Sequence, residues 1–330
     1  MRILVTGVSG LLGLNVASTT SCSTSYPTLF GHSTDSLAFS RNSGVQWWGI
    51  YRSHPVTPQN VETFQLDLLD HLMGEAKVRE KVLEIKPEVI LHTAGLTNVD
   101  TCENDPAEAW RQNVTATESI ARAAEAAGAK LIYISTDHLS DGTKALVTED
   151  APPSPLNVYA RTKLEAEQAV IKICREALII RTNFFGWGTQ VKASFSDWIL
   201  EGLRQGKEIP LFVDVYITPI LINDLWGIIG QLLDKGAEGV FNVAGSERVS
   251  KYEFGARLAE IFGYPTSPLR QVNVRDVALK ARRPLDMSLS TDKVVAYLGQ
   301  RMPSLDESLA KLKDLGEQGW PQRIRNAMRV

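Results

Sequence analysis

Short, continuously apolar runs alternate with segments of helical spacing along the first half of the chain. Arg2–Thr6, Gln46–Tyr51 and residues 64–66, 88–92 and 130–135 are such runs, each too short for a helix. Apolar on both alternating faces, they predict strands buried on both sides of a sheet. Between them, residues 10–17 open a helix, and residues 71–85 set Leu72, Val78, Val82 and Ile85 on one helical stripe. Residues 106–127 read as one long Ala- and Glu-rich helix ended by Gly128. This alternation predicts an α/β fold with a doubly wound parallel sheet.

Past Asn157 a helix runs to about Lys172, followed by a strand over 177–181. The regular alternation then weakens. Residues 194–204 and Lys251–Phe262 carry amphipathic helical spacing, and residues 239–244 return to the sheet as a strand. The expected division is a nucleotide-binding domain over 1–181 plus about 217–246. A smaller substrate-binding lobe then takes 182–216 plus 247–330. One stretch breaks the pattern: 13 of the 26 residues in 18–43 are Ser or Thr, with no periodicity, which predicts an extended loop.

Composition narrows the function classes. A net charge of -3 supplies no global field for nucleic acid or an anionic membrane, so neither partner is expected. No apolar run reaches the roughly 18 residues of a membrane span. The N-terminus enters a strand directly rather than a leader, so a cytoplasmic enzyme is expected. Cys22, Cys102 and Cys174 are odd in number, widely spaced and without a CxxC pair. They suggest neither a disulfide framework nor zinc. No His/Asp/Glu group has metal-ligand spacing, and no metal is expected.

Two motifs carry chemistry. The first is Gly7-Val8-Ser9-Gly10-Leu11-Leu12-Gly13, between a strand and a helix. Gly7 allows a tight turn, Gly10 lets backbone approach a pyrophosphate, and Gly13 lets the helix pack on the strand. The helix N-terminus then offers N–H groups to the phosphates. At the end of the second strand stand Arg52, Ser53 and His54, where an acidic residue would bind free ribose hydroxyls. Arg pairs instead with a 2'-phosphate, which favours NADP(H) with NAD(H) as the alternative; a merely solvated Arg52 is the competing reading. Asp67 and Leu68, after the third strand, are placed to meet the adenine.

The second motif is Tyr159 and Lys163, four residues apart and so on one helix face, behind the N-cap Asn157 and the breaker Pro152-Pro153-Ser154-Pro155. Chance alone gives a Tyr-x-x-x-Lys in roughly four such sequences in ten. Context adds to it, because Thr136 ends a strand at the sheet edge where α/β folds bind ligands. A neighbouring ammonium favours the phenolate, so Lys163 is expected to lower the Tyr159 pKa. Tyr159 then serves as proton donor while Thr136 orients the oxygen. Asn113 is read as a polar group inside a helix facing this site. Trp187 and Trp198 are read either as stacking surfaces in the second lobe or as buried packing.

Taken in order, RILVTGVSGLLG (2–13), TNVDTCENDPAEAWRQNV (97–114), LIYISTDHLSDG (131–142), EDAPPSPLNVYARTKLEAEQAV (149–170), LIIRTNFFGWG (178–188) and RPLDMSLSTDKV (283–294) carry a resemblance over nearly the whole chain. The sequence resembles the dTDP-4-dehydrorhamnose reductase family of extended short-chain dehydrogenases/reductases. The resemblance implies a Rossmann sheet with a smaller C-terminal substrate lobe and a catalytic triad of Thr136, Tyr159 and Lys163. It places Ala94, Gly95 and Leu96 at the cofactor, with Asn113 nearby. Arg181 and Thr182 lead from nicotinamide to substrate, and Asp137, His138, Asn183 and Arg283 face the substrate. A homodimer is a family-level expectation. The implied activity is reduction of a nucleotide-linked 4-keto-6-deoxysugar.

The chain departs from the family at the sugar. The family's Ser-Thr-Asp-Tyr is Ser-Thr-Asp-His here, and the tyrosine after the fourth strand is Leu96. A reductase or epimerase of another sugar nucleotide is therefore a second reading. Dehydratase chemistry is disfavoured, because the acid/base pair it needs is replaced by Asp137-His138. A third reading is a non-catalytic NADP-binding subunit, since the β subunit of methionine adenosyltransferase resembles the same reductases.

Overall fold

The computed structural model describes residues 1–21, 44–69 and 74–328. Its elements begin with β1 (Arg2–Thr6), α1 (Leu11–Ser18), β2 (Gln46–Tyr51), β3 (Val61–Gln65), α2 (Gly74–Ile85) and β4 (Val89–His92). They continue with α3 (Val99–Asn104), α4 (Pro106–Trp110), α5 (Ala116–Ala127), β5 (Lys130–Ile134), α6 (Val158–Ile173) and β6 (Leu178–Arg181). β1 to β6 and a later strand form one parallel sheet. The later elements are β7 (Phe184–Phe185), α7 (Phe195–Arg204), β8 (Ile209–Phe212), β9 (Tyr216–Ile217), β10 (Ile220–Leu221), α8 (Ile222–Asp234) and β11 (Gly239–Asn242). The chain ends through β12 (Val249–Ser250), α9 (Lys251–Phe262), β13 (Leu269–Val272), α10 (Asp292–Leu298), α11 (Leu305–Glu317) and α12 (Trp320–Asn326).

The sheet order is β11-β6-β5-β4-β1-β2-β3, with every neighbouring pair parallel. This is the doubly wound α/β sheet expected from the strand–helix alternation. The inner strands are buried on both faces, as Ile3, Leu4, Val5, Ile90, Leu91 and Ile132 show. That is why they read as unbroken apolar runs rather than alternating ones. Connections run one way outward from β1 through β2 to β3, then the other way from β4. The carboxyl ends of β1 and β4 therefore flank the switch point at which such sheets bind ligands.

Several boundaries moved. The third strand is Val61–Gln65 rather than 64–66, because pairing with β2 from Trp47 to Tyr51 recruits Val61 and Glu62. The helix over 106–127 is interrupted: residues Arg111–Thr115 form a π-turn between α4 and α5. Helix α3, capped by Asn98, precedes it and was not expected. The helix expected over 71–85 is described from Gly74, so Leu72 lies outside the described residues. Of the Ser/Thr-rich segment, Thr19–Ser21 continues α1 as a single 3-10 turn, and residues 22–43, with Cys22, lie outside the described residues.

Beyond the main sheet, β8 pairs with β13 and β9 with β12, next to α7 and α9. Ser194, Ser250 and Ser304 each close a capping box on α7, α9 and α11, with Asp197, Glu253 and Glu307 as partners. These satisfy N–H groups that would otherwise be orphaned. The chain then returns to α1 and the segment after β2. Trp320 of α12 donates its indole N–H to Asn15 Oδ1 on α1 at 3.0 Å, and Met328 bridges to Val56. No helix of the described residues is long and apolar enough to cross a membrane.

Candidate active site

The glycine turn is built for close approach. Gly7 has φ +70°, and a Cβ there would lie 2.8 Å from Ala94 backbone atoms. A Cβ on Gly13 would strike the Gly7 carbonyl oxygen. The first helix thus leaves β1 directly over the segment that follows β4. Gly10 caps α1 without a side-chain hydrogen bond, and the first turn holds no acidic residue. Its N–H groups and the helix dipole are therefore available to an anion. Ser9, Leu11 and Leu12 complete this turn. Such a turn fits the pyrophosphate of a dinucleotide, and a side chain at Gly7 or Gly13 would clash with backbone and force it apart.

The other cofactor candidates surround it. Ala94, Gly95 and Leu96 follow β4, and Asn113 in the π-turn holds them. Asn113 Oδ1 accepts from Leu96 N at 2.7 Å, and its amide donates to Leu96 O at 3.1 Å and to Thr162 Oγ1 at 3.0 Å. A Cβ on Gly95 would meet Asn113 Oδ1 at 2.8 Å. Asn113 therefore spends its amide tying this loop to the helix that bears Tyr159 and Lys163. Arg52 is exposed at the end of β2, its carbonyl held by Gln65 at 2.8 Å. Its guanidinium has no partner among the described residues. Asp67 is exposed and Leu68 half-buried just beyond β3.

Thr136, Tyr159 and Lys163 come together at the carboxyl end of β5. Asn157 caps α6 by accepting from Ala160 N at 2.9 Å, which sets the phase of the helix. Tyr159 and Lys163 then face the sheet edge, both buried. Lys163 Nζ donates to Ile134 O at 2.8 Å and sits 4.2 Å from the centroid of the Tyr133 ring. Burial pulls its pKa down to about 7, and Glu167 pulls it back up. The Tyr159 pKa is raised by burial, with the hydrogen bond to Thr136 pulling the other way and the Asp137 and Cys102 charges adding to the rise. The expected lowering by Lys163 is not among these influences; desolvation dominates, and the phenol stays protonated.

Behind this cluster His92 is fully buried. Its Nδ1 lies 2.5 Å from Thr6 Oγ1 and its Nε2 3.0 Å from Thr117 Oγ1. Burial, then the Lys163 charge, lower its pKa to about 3, so it is a neutral strut joining β1, β4 and α5. Its ring stacks on Tyr133 at 5.8 Å.

Several substrate candidates gather beside Thr136 and Tyr159. His138 meets the Tyr159 ring edge-on at 5.5 Å, and its Nδ1 is buried without a partner. Burial, then the Lys251 and Arg283 charges, hold its pKa near 3. Asp137 Oδ1 accepts from Thr136 Oγ1 at 3.2 Å and Oδ2 from Asn183 Nδ2 at 2.6 Å. Arg283 pairs through Nη2 with Asp100 at 2.9 Å and leaves Nη1 buried and unpartnered. Arg181 is turned elsewhere: it pairs with Glu167 at 2.8 Å, with both side chains at most 10% exposed. Thr182 is buried, its hydroxyl unpartnered. Trp187 is buried and donates to Leu312 O, whereas Trp198 is 45% exposed and stacks on Phe195.

Burial pushes the Asp137 pKa up to about 6, against hydrogen bonds and Lys251 that lower it. A carboxylate whose folded pKa is raised binds more protons when folded. It therefore destabilises the fold increasingly from about pH 4 to about pH 6, and fully above that. Asp137→Asn is expected to stabilise at pH 7 by on the order of 3 kcal/mol and to have little effect near pH 4. Urea unfolding at the two pH values checks this.

Sequence reading missed Lys251 and Tyr133. Tyr133 sits inside an apolar strand and reads as core. Lys251 opens α9, where a cation opposes the helix dipole, and that mismatch was its available signal.

Residues 1–316 match the RmlD substrate binding domain family. The chain belongs to this family. Among curated proteins it is similar to the probable low-salt glycan biosynthesis reductase Agl14 of Haloferax volcanii, at 30% identity over 95% of this chain and 97% of that protein. It is also similar to the methionine adenosyltransferase 2 subunit beta of Rattus norvegicus, at 31% identity over 92% and 84%. Among solved structures, the hypothetical dTDP-4-dehydrorhamnose reductase from Sulfolobus tokodaii aligns with a TM-score of 0.74 at 29% identity, covering 93% of this chain and 99% of that one. The dTDP-4-dehydrorhamnose reductase of Bacillus anthracis, solved in complex with NADP, shares the fold at a TM-score of 0.75 and 23% identity, covering 95% and 98%. RmlD-family membership agrees with the parallel, doubly wound sheet. Among the described residues no group of His, Cys, Asp or Glu could hold a metal ion.

Proposed function

We propose that this RmlD-family protein is an NADP(H)-dependent reductase of a nucleotide-linked 4-keto-6-deoxysugar. One observation carries the reading: buried Thr136, Tyr159 and Lys163 meet at the carboxyl end of β5, beside a glycine cradle shaped for a dinucleotide. When bound, the nicotinamide supplies the hydride. Tyr159, kept protonated by burial, gives its proton to the sugar oxygen as the carbonyl carbon is reduced. Thr136 holds that oxygen. Lys163 keeps N–H donors beyond its bond to Ile134 O for a ribose, and with a pKa near 7 it exchanges protons easily. Asp137, His138, Asn183 and Arg283 orient the sugar, with the second lobe as its seat.

Agl14 and the Sulfolobus tokodaii protein are both named as reductases, which supports the reaction class. The test is loss of NADPH absorbance against a panel of dTDP-, GDP- and UDP-4-keto-6-deoxysugars. Oxidation with one member is expected, and none with any member overturns the proposal. The similarity to a methionine adenosyltransferase subunit favours a second reading, NADP binding without turnover in a larger assembly.

The exposed Arg52 supports NADP(H) over NAD(H). Loss of a charge-assisted hydrogen bond to the 2'-phosphate costs about 1.5–3 kcal/mol. Arg52→Glu is accordingly expected to raise the KM for NADPH by roughly 10- to 100-fold and to favour NADH. Steady-state kinetics with both cofactors reads the change.

A further inference from the structure

Register across three neighbouring strands sets a row of side chains beside the site. Thr6 of β1 pairs with His92 of β4, and His92 pairs with Tyr133 of β5. Residues in register on adjacent parallel strands point to one face of the sheet, so the three side chains stand side by side near the carboxyl ends of their strands. All three are fully buried. The hydrogen bonds along the row have a direction. Thr117 Oγ1 donates to Asn113 O at 2.6 Å, so its oxygen accepts from His92 Nε2–H at 3.0 Å. His92 Nδ1 is then the acceptor for the Thr6 hydroxyl at 2.5 Å. Both ring nitrogens are thereby engaged. The neutral imidazole stacks beside the Tyr133 ring, with centroids 5.8 Å apart and planes 27° from parallel.

Lys163 lands on the end of this row. Its ammonium lies 4.2 Å from the Tyr133 ring centroid and donates to Ile134 O at 2.8 Å. The residue is buried, and the acid whose charge acts on it, Glu167, pairs with Arg181 instead. A buried ammonium without an ion-pair partner is costly. The face of an aromatic ring is negative and offsets part of that cost, more so where water is excluded. A ring also differs from a carboxylate in a way that matters here. It stabilises the cation without taking an N–H. Lys163 has three N–H donors and places one on Ile134 O, so two stay available to a ligand or a neighbour. An imidazolium at His92 would set a second cation next to the same ring. The bonds from Thr6 and to Thr117 hold His92 in the neutral form that avoids this.

We propose that Tyr133 is a positioning residue for Lys163: its ring, flanked by neutral His92, is a floor that holds the ammonium charged and in place while leaving N–H donors for the bound cofactor. This rests on the reductase reading and deepens it, because the floor acts on the reaction only through Lys163. The titratable and charged groups that touch Lys163 or act on it are Tyr133 from β5, His92 from β4, and Tyr159 and Glu167 on its own helix, with Arg181 of β6 paired to Glu167. Burial, opposed by Glu167, sets the Lys163 pKa at about 7, so the charge is lost as pH rises through that value. Weakening the ring face lowers that pKa further, and the charge is then lost at lower pH.

The test titrates Lys163 directly, by NMR of protein carrying carbon-13 at lysine Cε, with the Lys163 signal assigned by its absence in Lys163→Met. The same proteins are followed for the pH profile of kcat/KM with NADPH and the best panel sugar. Wild type, Tyr133→Phe, Tyr133→Phe with a trifluorinated ring at that position, and Tyr133→Leu are compared. Fluorination drains the negative ring face with little change of shape, so it reads the contact even where Tyr133→Leu does not fold. Tyr133→Phe is expected to keep the Lys163 pKa within a few tenths of wild type. The trifluorinated ring and Tyr133→Leu should each lower it by roughly one unit, the worth of a desolvated contact between cation and ring. The basic limb of kcat/KM should move to lower pH by a similar amount. A Lys163 pKa unchanged by fluorination, or lowered as much by Tyr133→Phe, overturns the floor. A shifted pKa with an unmoved basic limb overturns its part in the reaction. Absence of turnover by wild type with every sugar overturns the reductase reading alone, because the titration reads the floor without a substrate.

Discussion

Tyr159→Phe is expected to lower kcat by about 10²- to 10⁴-fold, the usual worth of a positioned general acid. Cofactor affinity should stay within a few-fold of wild type. The phenol ring packs among Val158, Cys102 and Ala109 and against the edge of His138, and Phe keeps that ring. Only the hydroxyl is lost, with its bond to Thr136. Burial raises the Tyr159 pKa, so the group is a phenol across the neutral range and suited to giving a proton. Reduction should therefore be favoured over the reverse oxidation near neutrality, which needs the phenolate. Calorimetric NADP binding beside NADPH turnover measures both halves. Equal turnover in Tyr159→Phe and wild type would remove Tyr159 from the chemistry.

Glu167→Ala is expected to destabilise the fold by about 3–5 kcal/mol, because it strands Arg181 as an unpaired buried charge. The pair is bidentate in character: Arg181 Nε donates to Glu167 Oε1 at 3.0 Å and Nη2 to Oε2 at 2.8 Å, joining β6 to α6. Nη1 extends the link to Glu149 O at 3.3 Å. Replacing both partners, as Arg181→Met with Glu167→Leu, should recover most of the loss, since a well-packed apolar pair of similar volume is often neutral or stabilising. The single variant should act on the site too. Glu167 is the group that holds the Lys163 pKa up, so its removal leaves less of the lysine charged at neutral pH. Urea unfolding reads the stability, and the pH profile of the double variant isolates the effect on Lys163.

Much of this site was legible in the chain because local chemistry dictated it. Gly13 is forced by backbone contacts within one strand–turn–helix unit and Gly7 by the positive φ of its turn, and a glycine pattern records such local demands directly. Tyr159 and Lys163 share a face through helix geometry alone, with Asn157 setting the start. The inner strands were visible because burial on both faces leaves no polar position. What was hidden depends on distant parts of the chain. Arg181 reads as a ligand residue beside the nicotinamide segment, and only the fold reveals Glu167 on α6 as its partner. The π-turn at Arg111–Thr115 has no compositional mark, since Asn113 earns its place through bonds to Leu96 and Thr162. Lys251 lies more than 110 residues from Asp137 in sequence, so no local pattern could show that each feels the other's charge. The direction of the Tyr159 shift is hidden for the same reason: spacing shows the lysine and does not show the burial that sets the pKa.

The most direct test of the reductase account follows the hydride itself. NADPH deuterated at both C4 positions of the nicotinamide is incubated with the protein and each nucleotide-linked 4-keto-6-deoxysugar, and the product is examined by mass spectrometry and NMR. The account predicts one deuterium at sugar C4, formed by wild type and nearly absent with Tyr159→Phe. Tight NADP binding with no deuterium in any sugar would contradict it and support binding without turnover.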